Sequence, residues 1–136
     1  MVDLLRLFAG DFDKVHSFIS NKYWKYDVED NAYALMKTPN NIVALLHSSA
    51  TLWRHNFNLH ITCELGSLEL SGILSSTKSY GAESLTIAYK SEYELGDPKE
   101  ITTRYNTDPS WDEEISEFCE AILNKVPITS GSSEDA

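Results

Sequence analysis

The chain has 136 residues, 42% hydrophobic and 11% aromatic, enough for one domain with an apolar interior. Its 21 acidic residues outnumber 11 basic ones and leave a formal net charge of −10, with no basic stripe anywhere. Partners that are themselves polyanions are excluded on that balance, nucleic acid and anionic membrane surface alike, because both are gripped by Lys and Arg set against phosphates.

In chain order, Met1 to Ala9 carries apolar residues at Met1, Leu4, Leu5 and Phe8, and Gly10 stands where a helix stops. A helix of two turns recovers little of its nucleation cost, so this one reads as the tail of a longer helix. From Val15 the period changes to two. Val15 to Ile19 is a short strand, and Asn31 to Lys37 alternates less cleanly. Asn40-Asn41 turns this segment into a hairpin partner over Ile42 to His47. Phe57 to Cys63 alternates without exception, odd positions apolar and even positions polar. Glu64-Leu65-Gly66 turns into Ser67 to Ser71, after which Leu85, Ile87 and Tyr89 define a further strand. Gly96-Asp97-Pro98 is a turn signal, and Ile101 to Tyr105 is the last strand.

Ser110-Trp111-Asp112-Glu113 matches a capping box and predicts a helix with Ile115, Phe118, Cys119, Ile122 and Leu123 on one face, stopped by Pro127. Ser130 to Ala136 reads as a flexible tail or as the start of another helix. The pattern predicts an α+β domain over residues 1–136: a large, mostly antiparallel sheet of six or seven strands with helices on one face, and both chain ends cut inside an element. The open face is expected to hold Asn58, His60, Thr62 and Glu69. Cys63 and Cys119 could form one disulfide, but both occupy apolar positions and are expected instead as buried, reduced thiols, in keeping with a cytoplasmic protein. No signal peptide and no membrane span is read from the sequence.

Little in the sequence carries chemistry. The glycines at 10, 66, 72, 81, 96 and 131 form neither G-x-G-x-x-G nor a phosphate loop, so no dinucleotide site is expected within these residues. The four histidines have no ligand spacing, which leaves no metal site, and no catalytic constellation emerges. Thr51 to Asn56 is the exception. Trp53, Arg54 and His55 bring a large ring, a cation and a hydrogen-bonding group together before the cleanest strand, a mixture that suits a sugar pocket. The competing reading puts Trp53 in the core and leaves Arg54 and His55 to solvent. Tyr80 is a second candidate contact, or a loop anchor.

Four segments in order resemble one family. Met1-Val-Asp-Leu-Leu-Arg-Leu-Phe-Ala-Gly is similar to the helix that follows the D-x-G-x-H motif of the glucose–fructose oxidoreductase, inositol dehydrogenase and MocA family. Asp27-Val-Glu-Asp-Asn-Ala, the run from Trp53 to Gly66, and Asp108-Pro-Ser-Trp-Asp-Glu-Glu-Ile-Ser-Glu-Phe with the terminal Gly-Ser-Ser-Glu-Asp-Ala resemble its later strands and helices. The resemblance implies a C-terminal domain of the type also found in dihydrodipicolinate reductase and glyceraldehyde-3-phosphate dehydrogenase. In such proteins a Rossmann domain holds NAD or NADP, the open sheet face makes a homo-oligomer, and the cleft takes a sugar, polyol or nucleotide sugar. This chain lacks the Rossmann half and the E-K-P motif, and it begins just past the family's His. The expectation is therefore a substrate-binding and oligomerisation domain that is inactive alone. Asp3 is implied to act locally, and Trp53, Arg54, His55 and Tyr80 to line the substrate wall. The alternative is a free-standing ligand-binding or dimerising module without catalysis.

Overall fold

A computed structural model of the chain describes all residues except 76, 78, 92–96, 129, 130 and 132–136. The expected turn at Gly96 and the terminal segment from Ser132 fall outside the described residues. The chain divides into two compact units, one reaching from Met1 to Trp53 and one opening at Arg54.

The first unit starts with α1 (Val2–Ala9), as the spacing of Leu4, Leu5 and Phe8 dictates. Gly10 ends it at φ 80, its N–H donating to the Arg6 carbonyl at 2.7 Å. Asp3 pairs with Arg6 at 3.9 Å, the local partnership expected of it, and Arg6 Nε also donates to Asp11 Oδ1 at 2.9 Å. Three strands follow, β1 (Lys14–Ser20), β2 (Asn31–Lys37) and β3 (Val43–Ser49), in an antiparallel sheet of order β1-β2-β3. Thr38 closes the β2–β3 hairpin: its N–H donates to the Ile42 carbonyl, and its hydroxyl accepts the Ile42 N–H. Asn41 supplies the left-handed residue of that turn at φ 67.

Register decides the faces of this sheet, since directly opposed residues point the same way. One face carries Ala34, Met36, Ala44 and Leu46; Met36 is buried there, and α1 lies against β3. The other carries Lys14, His16 and Phe18 on β1, Tyr33, Leu35 and Lys37 on β2, and Val43, Leu45 and His47 on β3. Phe18, Tyr33, Leu35, Val43 and Leu45 are all exposed. Two ring contacts organise that surface, His16 edge-on to Phe18 at 5.1 Å and His47 stacked on Tyr33 at 4.2 Å.

The second unit is a meander of β4 (Asn58–Cys63), β5 (Gly66–Ser71), β6 (Glu83–Tyr89) and β7 (Lys99–Tyr105), each antiparallel to the next. Leu59, Ile61, Leu68, Leu70, Leu85 and Ile87 share one half-buried face. The opposite face is polar, with Asn58 Nδ2 donating to Glu69 Oε1 at 2.7 Å and the hydroxyls of Thr86 and Thr102 paired at 2.9 Å. Gly72 follows β5 at φ 74, and a Cβ there would run into the Ala82 carbonyl oxygen.

The α+β, antiparallel architecture is the expected one, with the seven strands found among the described residues divided between two sheets. Three local expectations are overturned. Ser110 does not cap α2 (Ser110–Asn124): Pro109 occupies the cap and the Glu113 N–H donates to the Pro109 carbonyl at 3.0 Å. The Asp108 carboxylate instead accepts the Ser110 N–H at 3.1 Å, so the Asp-Pro step brings the chain into the helix one residue earlier than the box requires. Cys63 and Cys119 are unpaired, but both are exposed; Cys63 ends a strand, and Cys119 lies on a helix that meets no strand of its own unit among the described residues. For the same reason α2 does not cover the sheet. Its Trp111, Ile115 and Phe118 flank, with Val126 and Ile128, an open groove of about 830 Å³.

Candidate ligand-binding site

Trp53 closes the first unit and is 95% exposed, which removes the reading that buries it in the core. Arg54 and His55 open the second unit and are likewise exposed. Tyr80 is half-buried, and its ring meets that of His55 edge-on, centroids 5.0 Å apart at 75°. The two sequence candidates His55 and Tyr80 are thus brought together although 25 residues separate them in the chain. Such a pair offers an aromatic edge and ring nitrogens to a polar ligand.

A second cluster escaped the sequence reading. Between β1 and β2 the chain makes a loop over residues 21–30 whose organiser is Asp30, buried to 4% exposure. Its Oδ2 accepts the backbone N–H of Tyr23 at 2.6 Å and of Trp24 at 3.4 Å. Its Oδ1 accepts Asn31 Nδ2 at 3.0 Å and the Ser20 hydroxyl at 3.2 Å. Asn31 Nδ2 also donates to Thr51 Oγ1 at 3.0 Å, and Thr51 is joined in turn to Ser49. The Trp24 indole N–H donates to the Ala50 carbonyl at 3.2 Å. Hydrogen bonds to the charged form, first the Asn31 amide and then the Tyr23 N–H, hold the Asp30 carboxyl below its ordinary 3.8, against the opposing pull of burial. This carboxylate is therefore a structural anion, not an acid or base poised for neutral pH. The signal was present in Asp27-Val-Glu-Asp-Asn-Ala, where a buried Asp bonded to the half-buried Asn beside it explains the residue types.

Neither cluster supplies a nucleophile with its base, and the described residues contain no group of three His, Cys, Asp or Glu placed to hold a metal. Every strand pairing among the described residues is antiparallel, so they contain no parallel βαβ unit of the kind in which a strand, a Gly-rich turn and a helix hold a dinucleotide. No helix among the described residues is long and apolar enough to cross a membrane.

The fold defines an antiparallel α+β domain. Residues 1–69 match the model of the GFO/IDH/MocA C-terminal domain, and the chain belongs to that family. Among solved structures, a candidate NADPH-dependent oxidoreductase from Desulfitobacterium hafniense DCB-2 superposes with a TM-score of 0.77 at 14% identity, over 96% of this chain and 38% of that one. The UDP-N-acetylglucosamine 3-dehydrogenase of Acidithiobacillus ferrooxidans gives a TM-score of 0.69 at 18% identity, over 93% of this chain and 39% of that one. The chain therefore spans about two fifths of the length of each of these structures. Comparison with curated proteins gives no match.

Proposed function

We propose that this chain is the substrate-wall and oligomerisation domain of an NAD(P)-dependent sugar, polyol or nucleotide-sugar oxidoreductase, working in the cytoplasm and inactive alone. The observation that carries the reading is family membership over residues 1–69, supported by a fold shared with oxidoreductases over nearly the whole chain. In this reading the cofactor and the hydride chemistry belong to a Rossmann domain outside these residues. Trp53, Arg54, His55 and Tyr80 contribute the substrate wall, for which UDP-N-acetylglucosamine is the reference ligand to try.

The oligomer contact is assigned to the face of the first sheet that carries Phe18, Tyr33, Leu35, Val43 and Leu45. Two arguments favour it over the polar face of the second sheet, where Asn58, His60, Thr62 and Glu69 stand. It is apolar and exposed, as the core of an interface must be before assembly. Its β2 and β3 residues, Tyr33, Leu35, Val43 and Leu45, also lie in the stretch between Asp30 and Glu64, which contains no acidic residue, so two chains of net charge −10 meet there with the least repulsion. The same face would serve a free-standing dimerising module, and cofactor binding separates the two readings. Titration calorimetry of the chain with NADPH, alone and joined to a Rossmann domain of the family, is the test. Binding only to the joined protein is expected; micromolar binding to the chain alone would overturn the proposal.

A further inference from the structure

Tyr23, Trp24 and Tyr26 stand on the loop between β1 and β2, and all three are exposed at 50% or more. Exposed aromatic side chains on a loop ordinarily fold down onto the nearest apolar surface, because that removes their rings from water. Here a buried carboxylate fixes the backbone under two of them, Tyr23 and Trp24. One carboxylate, Asp30, fixes the amides of both Tyr23 and Trp24, and its own N–H and carbonyl are tied to Ser20 and Ala50 at 2.7 and 2.8 Å. The indole N–H is tied to Ala50 as well, and the Tyr23 and Trp24 rings are locked edge-to-face at 4.9 Å and 81°. Lys25, next in the chain, takes a left-handed φ of 57 that a lysine adopts at a cost, and such strain gathers where a loop must present something. Trp53 leaves the same end of the sheet, three residues beyond the carbonyl that holds Trp24.

The surrounding charges identify the kind of ligand. Over residues 21–29, Lys22 and Lys25 are balanced by Asp27 and Glu29, so the loop attracts neither a phosphate nor a cation by net charge. What remains is a set of rings alternating with hydrogen-bonding side chains, Asn21, Lys22, Lys25 and Asp27. That combination fits a neutral ligand with an apolar face and a polar rim, which is the description of a pyranose: C–H bonds on one side, hydroxyls around the edge. We infer that Tyr23 and Trp24, preorganised by Asp30, form with Tyr26 and Trp53 a carbohydrate-stacking platform at this end of the first sheet. The inference rests on the sugar-oxidoreductase reading and extends its substrate wall from Trp53 to a loop that reading left unused. Preorganisation is the point of the buried network, since rings already held in place lose little freedom on binding.

The test is an amide and indole NMR titration of the full chain with N-acetylglucosamine, UDP-N-acetylglucosamine and UMP. Both sugars are expected to shift the signals of Tyr23, Trp24, Tyr26 and Trp53, with a Kd on the order of a millimolar for the free sugar, and Trp24→Ala to weaken this at least tenfold. Should Trp24→Ala lose the fold by circular dichroism, Tyr26→Ala, with a ring bonded to nothing in the network, takes its place. Shifts confined to His55 and Tyr80 would overturn the platform while leaving the sugar reading standing. Shifts with UMP as large as with UDP-N-acetylglucosamine would replace the sugar by a nucleobase and overturn the inference. Silence with all three ligands would also overturn it, and NADPH binding to the joined protein would then decide the wider reading separately.

Discussion

Asp30 carries the clearest pH dependence at the scale of single residues. Its folded pKa lies below the ordinary 3.8, so its contribution is complete above pH 3.8 and is lost as the pH falls through the depressed folded value. Trp24 fluorescence, followed from pH 6 to pH 2, is expected to stay level until below pH 3.8 and then to report release of the loop. Asp30→Asn, which cannot accept the same set of donors, is expected to show the released signal at every pH. A fluorescence change centred above pH 4 in the parent chain would contradict this. Gly72 offers a steric counterpart. Its φ of 74 and the blocking Ala82 carbonyl leave no room for a methyl group, so Gly72→Ala is expected to destabilise the second unit by about 3 kcal/mol in urea unfolding. Trp53→Ala, at a side chain in open solvent, is expected to change stability by no more than about 0.5 kcal/mol.

At the scale of elements, the first sheet has one face partly covered and one face of large apolar side chains in water. Leu45→Glu places a carboxylate in the middle of that open face, opposite Leu35. Sedimentation velocity is expected to show the parent chain as a dimer or higher oligomer and the variant as a monomer, with the association weakened at least 100-fold. An oligomer unaffected by the substitution would move the interface elsewhere. What the sequence made legible at this scale follows from periodicity. Leu59, Ile61 and their polar neighbours alternate because β4 lies between a half-buried face and a wet one, and the period of Ile115, Phe118 and Ile122 is that of α2. Periodicity does not say which strands pair across a break, so one sheet was expected where there are two. The capping box failed because Asp108-Pro109 starts the helix by another route that uses the same residue types. The loop over residues 21–30 stayed hidden for a related reason: its rings follow no period, and the residue that orders them is a single buried carboxylate. The pairing of His55 with Tyr80 depends on how the chain returns between β5 and β6, which no local pattern encodes.

For the molecule as a whole, burial is thin. Met36, Ala121, Asp30 and Thr38 are the buried side chains, and no large side chain is fully enclosed among the described residues. A domain with so little interior draws modest stability from its own folding, since that stability scales with apolar area removed from water. In the proposed parent, association with a cofactor domain and with further copies would supply the remainder by covering what is exposed here. The melting temperature of the chain is accordingly expected to rise with protein concentration, by linkage of assembly to folding, and a concentration-independent value would count against the oligomer.

The order β1-β2-β3 leaves β1 and β3 as the outer strands of their sheet, and their composition makes them hazardous. Natural outer strands discourage stray pairing by carrying charges or prolines that act as gatekeepers. β7 does this with Lys99, Glu100 and Arg104, but β3 reads Val-Ala-Leu-Leu-His-Ser-Ser with no formal charge at neutral pH, and β1 has Lys14 alone. The face proposed above for the oligomer contact is therefore bordered by strands with few gatekeepers against stray pairing. In that proposal, correct assembly and edge-to-edge pairing would compete for the same few residues, and rising protein concentration would favour both.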